Sequence, residues 1–258
     1  MDKPNISPEK SSAMQILLAA DASAEPEALA PLLSSDIKVV IIDPKETSVE
    51  TAQKIFEGAI AIALLVSAKS GISKGMIDLW NYAMDRQFPR MVVVNKLSMS
   101  DTDFDDIVLI VNRVLEQGVT PYLVLHDEVG EPTGLISLES KEVHDYSATT
   151  PNRYVADSEL QTLVEEFASE YADQLSAFES DSFAHGLLVP ILPVMESKLI
   201  GVAEIKPVGS PTSSCKTKYG VTPCSRTRLT IRTMSSKSVS LMLNLLTITI
   251  LGNCLSIA

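Results

Sequence analysis

One pattern constrains this chain more than any other. Four short, unbroken apolar runs, "MQILLAA" (14–20), "IKVVIID" (37–43), "IAIALLVSA" (60–68) and "PRMVVVNK" (89–96), alternate with stretches whose apolar residues fall at helical spacing. The helical stretches are 25–35, 47–59, 75–88 and 103–118, the last closed by Gly118. In 75–88, Ile77, Trp80, Ala83 and Met84 share one face, and Trp80 reads as a core anchor. A half-solvated strand would alternate apolar and polar residues; runs without alternation are strands buried on both faces. Strand and helix in alternation then give a mainly parallel sheet with helices on both faces, an α/β fold. In such sheets ligands bind beyond the carboxyl ends of the strands, so the loops after Ala20, Asp43, Ala68 and Val94 are where a site is expected.

From residue 121 the texture changes. "PYLVLHDEVGEPTGLISLESKEVHDYS" alternates apolar and polar residues between Gly and Pro breaks, which predicts a small antiparallel or mixed strand unit. Residues 157–180 read as a long acidic helix with Leu160, Leu163, Val164, Phe167, Tyr171 and Leu175 as its apolar stripe. "GLLVPILPV" (186–194) reads as a last strand returning to the sheet. The expected organisation is a loose N-terminus (1–13), an α/β core (14–120 and 186–206), an α+β insertion (121–185) and a tail (207–258).

Charge and cysteine mark the tail. All 33 acids lie in residues 1–206 with 15 of the 21 bases, a charge of −18, whereas 207–258 holds six bases and no acid. The three cysteines, Cys215, Cys224 and Cys254, are all in the tail, so the body has no disulfide frame and no Cys-ligated zinc. An acidic body argues against direct DNA binding. The N-terminus has no basic apolar leader, so a cytoplasmic protein is expected. The last twenty residues (239–258) have about the length of a membrane span, broken by Asn244 and Asn253.

The loop after the fourth apolar run carries Asn95-Lys96, with Ser98 two residues on. Pro89-Arg90, Val94-Asn95-Lys96 and Asp103-Phe104, with Gly58-Ala59, Gly71 and Leu79-Trp80 upstream, stand at the spacing of the translational GTPases. Over roughly residues 14–205 the chain resembles the bacterial elongation factor G family. "GLISLESKEVHDYS" is similar to the segment opening that family's insertion, and 157–180 to its acidic helix. The resemblance implies a P-loop-GTPase-like domain, GTP or GDP as ligand with Mg²⁺ accompanying the nucleotide, and the ribosome or translation factors as partners. It places Asn95, Lys96, Asp43 and Ser197 at nucleotide-binding positions, and it leaves the tail without the β-barrel domain the family would require.

The chemistry of those positions is altered. A guanine-binding loop needs an Asp to accept two hydrogen bonds from the base, and the Ser98 hydroxyl cannot supply that bidentate acceptor. A phosphate loop needs glycines whose amides wrap the phosphates, plus a lysine. No glycine precedes Gly58, and the loop after the first run is "ADASAEPE", with Asp21, Glu25 and Glu27. The Asp-x-x-Gly loop reads Asp43-Pro44-Lys45-Glu46, without glycine, and Pro44 has no N–H. Ser67-Ala68-Lys69 reads as the end of the third strand, and Ser197-Lys198 as what is left of the loop after the last strand.

Weak or absent GTP binding and hydrolysis are therefore expected, with no catalytic residue assigned. The alternatives are a non-enzymatic ribosome or translation-factor interaction module, a gene fragment without activity, and a tail-anchored membrane protein. The tail itself has three readings: an anchor, an ordinary terminal segment, or sequence outside the parent fold such as a shifted frame. The joint break near Ile205 favours the last. His126, His144 and His185 read as surface or loop histidines and not as metal ligands. Asp101, Asp103, Asp105 and Asp106 read as charges on the first turn of a helix.

Overall fold

Strands that no water reaches can form only where both faces are covered, and three of the four apolar runs fold accordingly; the second, expected to be buried over 37–43, lies at a sheet edge over 38–42 with only Ile42 buried. The computed structural model describes residues 15–33, 38–47, 49–97, 102–148, 150–179 and 182–205. In chain order they form β1 (Gln15–Ala20), α1 (Pro26–Leu29), β2 (Lys38–Ile42), α2 (Val49–Phe56), β3 (Ala61–Ser67), α3 (Lys74–Met84), β4 (Arg90–Asn95) and α4 (Phe104–Val114). There follow β5 (Tyr122–His126), β6 (Pro132–Ser137), β7 (Glu142–Asp145), β8 (Asn152–Val155), α5 (Ser158–Ser176), β9 (Ile191–Pro193) and α6 (Val202–Ile205).

Five strands make one parallel sheet in the order β2-β1-β3-β4-β9. Every residue of β3 and β4 is buried, as continuous apolar runs in the sheet centre require. The chain leaves β1 for β2 on one side and returns to β3 on the other. The strand order therefore reverses beside β1, which opens a crevice at the carboxyl ends of β1 and β3. The remaining strands form an antiparallel sheet in sequential order, β5-β6-β7-β8. The two sheets meet at Val119, whose N–H donates to the Val189 carbonyl (2.8 Å) and whose carbonyl accepts from Ile191 N–H (2.8 Å). The architecture is thus α/β with a small antiparallel addition.

Three further details differ from the periodicity reading. The helix expected over 103–118 ends at Val114. Its Asn112 side chain accepts from Gly118 N–H (2.9 Å) and stabilises a non-helical exit. Gly118 is needed there for closeness rather than for stopping a helix, since a Cβ would lie 2.7 Å from Ile191. In α5 the buried residues are Val164, Ala168 and Tyr171, whereas Leu163 and Phe167 are 73% and 48% exposed. The buried face is thus rotated from the expected stripe onto Val164, Ala168 and Tyr171. The expected 25–35 helix is one turn, α1, running into a 3₁₀ turn at Ala30–Leu32 around Pro31. The tail 207–258, Ser98 and Asp101 lie outside the described residues. No helix among the described residues is long and apolar enough to cross a membrane.

A buried ion pair fixes the start of β4. Arg90 reaches Glu116 through Nε to Oε1 (2.5 Å) and Nη2 to Oε2 (2.8 Å). Its Nη1 donates to the Phe88 and Gly186 carbonyls (3.1 and 2.9 Å). Trp80 Nε1 donates to the same Glu116 Oε1 (2.9 Å), which orients that fully buried ring. A planar guanidinium fork suits this bidentate contact and an ammonium does not. Removing Arg90 leaves the Glu116 carboxylate, 23% exposed, without its partner, so Arg90→Met should cost about 1–3 kcal/mol. Arg90→Lys should recover only part of that, as read by urea denaturation; equal stability of the Lys variant and the parent would refute the fork.

Candidate functional site

The carboxyl edge of the parallel sheet is closed by its own loops, and the loop after β1 is the hub. Asp21 starts a single 3₁₀ turn (Ala22–Ala24) and Glu25 ends it, in the left-handed region at φ 48°. Ala24 is buried and directs its carbonyl at the end of β4. There Asn95, fully buried, donates through Nδ2 to the Ala24 carbonyl (2.7 Å) and to Glu196 Oε1 (2.6 Å). Asn95 thus ties the loop after β1 to the turn after β9 (Glu196–Lys198). Lys96, itself left-handed at φ 62°, extends its ammonium to Glu25 Oε2 (2.7 Å).

The other loops fasten to the same hub. Ser23 Oγ and Ser70 Oγ share a hydrogen bond of 2.7 Å between the loops after β1 and β3. Lys45, after β2, lies 3.7 Å from Asp21 Oδ1, a charge contact longer than a hydrogen bond. Asp43 is engaged within its own turn. Its Oδ1 accepts from Lys45 N–H (2.8 Å) and its carbonyl accepts from Thr47 Oγ1 (2.7 Å), the local pattern by which Asp favours turns over ladders. Gly75, at the start of α3, packs so closely on this loop that a Cβ would meet the Pro44 carbonyl at 2.8 Å.

The four residues singled out from sequence therefore separate. Asn95 and Lys96 converge on the β1 loop. Asp43 lies after β2, at the far edge of the sheet from β4 and β9. Ser197 is exposed, and its neighbour Glu196 makes the contact to Asn95. Sequence reasoning missed Glu196; the signal was its place as the first residue of the turn that answers Asn95. Ser67 ends β3, opposite Asn95 in the register. Ser67 Oγ, Asn95 Oδ1 and Asp21 Oδ1 are buried without a hydrogen-bond partner.

A second polar cluster lies away from this edge. Glu204, 2% exposed on α6, accepts from His144 Nδ1 (2.7 Å), Tyr146 Oη (3.0 and 3.1 Å) and Arg153 Nη2 (3.3 Å). His144, expected at the surface, is buried in β7, because the carboxylate it needs comes from sixty residues further along the chain. Burial alone pushes the Glu204 carboxyl up, but the hydrogen bond and charge of His144, with Arg153, bring it below its ordinary value. Burial, then the Glu204 charge, raises the Tyr146 phenol. On α4, burial and the neighbouring Asp103 and Asp106 raise Asp105, so the acids there crowd one another as well as charging the first turn.

No protein-family model matches the chain. Among solved structures it is similar to the crystal structure of ttk003000868 from Thermus thermophilus, at a TM-score of 0.56 and 19% identity. The match covers 74% of this chain and 38% of that one, so the chain spans well under half the length of its structural neighbour. At that identity the likeness is one of fold: an α/β domain built on a mainly parallel five-stranded sheet.

A carboxyl held below its ordinary value stabilises the fold above its unfolded-state pKa and loses that contribution as pH falls through the folded-state value. Glu204→Gln should therefore destabilise by about 1–3 kcal/mol at pH 7. The gap from the parent should shrink in melts taken below the ordinary glutamate value of 4.5. A gap that stays constant with pH would count against the charged pairing.

Proposed function

We propose that this chain is an elongation factor G-like translation GTPase domain whose nucleotide site is closed by its own loops. It does not turn over GTP, and it serves as an interaction module of the translation machinery. One observation supports this reading: where a phosphate loop would present glycine amides, the loop after β1 sets the carboxylates of Asp21 and Glu25 at the two ends of its turn, with Lys96 paired to Glu25. The Asn95 amide is held by the Ala24 carbonyl and Glu196, and the Lys96 ammonium by Glu25. Moving the β1 loop away from β4 means breaking the buried Asn95–Ala24 hydrogen bond.

The rest of the edge supports the same conclusion. Phosphoryl transfer depends almost wholly on positioning and on charge placed against the phosphates. The loop after β1 places Asp21 and Glu25 there, and no glycine amide is available before Gly58. The Asp43 carboxylate, which would hold Mg²⁺ through water, is bound into its own turn. GTP, GDP and Mg²⁺ thus have a fold suited to them and a closed door. For docking, the acidic insertion helix α5 offers Leu163 and Phe167 on its exposed side.

Titration of the full chain with labelled GTP, GDP and ATP, each with Mg²⁺, should give no binding tighter than about 1 mM, and no phosphate release. Magnesium-dependent GTP turnover that Asn95→Ala abolishes would sink the proposal. Co-sedimentation with ribosomes at low salt is expected, and its absence there would remove the docking half.

A further inference from the structure

A cleft of about 600 Å³ lies between α5 and the turn that joins β6 to β7, a size that takes a small organic molecule. From the helix, Ser169, Ala172 and Ser176 line it at helical spacing, and such short side chains leave the space beside them unfilled. Leu138, Ala168 and Leu175 supply its apolar surface. From the turn come Glu139 and Lys141. Lys141 ties the turn to the helix, its ammonium paired with Glu165 of α5. The Lys141 backbone is fixed on both sides. Its N–H donates to the Ser137 carbonyl (2.9 Å) and its carbonyl accepts from Ala156 N–H (2.9 Å). It holds a left-handed φ of 55°, which non-glycine residues adopt at a cost.

Two observations mark this cleft as more than a packing gap. Tyr171, 3% exposed, is one of its lining residues, and the Tyr171 Oη is buried without a hydrogen-bond partner. A buried hydroxyl left in that state is unfavourable, and a polar ligand atom settling against Tyr171 would satisfy it. Burial, then the Glu139 charge, raises the Tyr171 phenol. The group therefore stays a neutral hydroxyl, which accepts a hydrogen bond from an N–H donor. The second observation is charge. Glu139 and Glu165 line the cleft with one cation, Lys141, and that cation is paired with Glu165. The cleft is left with a negative balance.

We infer that this cleft binds a small organic amine, an ammonium group carried on an apolar body. The ammonium lies toward Glu139 and Tyr171, whose ring adds a cation–π surface to its hydroxyl acceptor. The apolar body packs on Leu138, Ala168, Ala172 and Leu175. An acid with the same body is disfavoured, because the cation of the cleft is already taken. Glu139 and Tyr171 thus set the sign of charge that is accepted, while the short side chains of Ser169 and Ala172 set the room. The acidic body, at −18 over residues 1–206, concentrates cations near its surface as well. The inference is independent of the nucleotide-edge reading, since every lining residue belongs to the insertion. It is also separate from Leu163 and Phe167, which do not line the cleft.

Titration of the full chain with phenethylamine, followed by amide NMR spectra, tests the inference; phenethyl alcohol and hydrocinnamate serve as its neutral and anionic counterparts. Phenethylamine should bind with a Kd of about 1 mM or tighter, and at least about fivefold more tightly than the alcohol. Hydrocinnamate should not saturate. Shift changes should centre on Lys141, Ser169 and Ala172. Ala172→Leu, at an exposed helix position, should keep the melt and abolish binding. Tyr171→Phe removes only the unpartnered hydroxyl, so it should keep or raise the melt while weakening the amine at least about threefold. The inference is overturned if the amine binds no more tightly than the alcohol, if Ala172→Leu keeps both melt and affinity, or if Tyr171→Phe leaves the amine's affinity unchanged. Should Tyr171→Phe not fold, Glu139→Gln, at an exposed turn position, decides in its place: loss of the preference for amine over alcohol supports the inference, and an unchanged preference refutes it.

Discussion

The bidentate contact between Arg90 and Glu116 holds the rest of the molecule in place. It fixes the entry of β4, orients Trp80 of α3 and holds the Gly186 carbonyl ahead of the segment that leads into β9. Strand register does the remainder: once Arg90 is set opposite Ile62, Asn95 must fall opposite Ser67 at the carboxyl edge. A buried guanidinium gives little net stability against an apolar alternative, but it permits few geometries. Its effect here is to place the end of β4 against the β1 loop.

That placement gives Asn95 its role. A side-chain amide at a strand terminus can link loops that are remote in sequence, and Asn95 links residues 71 positions before it and 101 after it. The same convergence that would let a ligand touch many loops lets the loops touch one another. In this chain the β1 loop brings carboxylates to the meeting point, and the loops bond to one another there while leaving Asp21 Oδ1, Ser67 Oγ and Asn95 Oδ1 without partners.

How far the sequence disclosed this depends on the range of the interactions concerned. The sheet was readable because unbroken runs such as "ALLV" in β3 have few other folded uses. Asn95-Lys96 at a strand end was readable for the same reason, since strand position fixes where a side chain emerges. Glu196 and Glu204 were not, because their partners lie 101 and 60 residues away and no local pattern encodes them. His144 was misjudged on that account: a histidine in an alternating segment looks solvated until a distant carboxylate is brought to it. Leu163 and Phe167 misled in the opposite way. Both fit a helical stripe, but α5 buries Val164, Ala168 and Tyr171, and the periodicity of a helix does not say which of two adjacent faces a neighbour will choose.

The glycines show which demands this chain still meets. Gly186 and Gly201 sit at positive φ, where an added methyl group would lie 2.4 Å from the Gln87 carbonyl and 2.0 Å from that of Pro193. Those positions tolerate no other residue. Where amides would have to curl around a phosphate, the chain has alanine, serine and glutamate. Steric necessity is thus met at these glycines, and the loop after β1 is built from other residues. A fold and the chemistry of its loops can vary separately, because packing and reactivity make their demands at different residues.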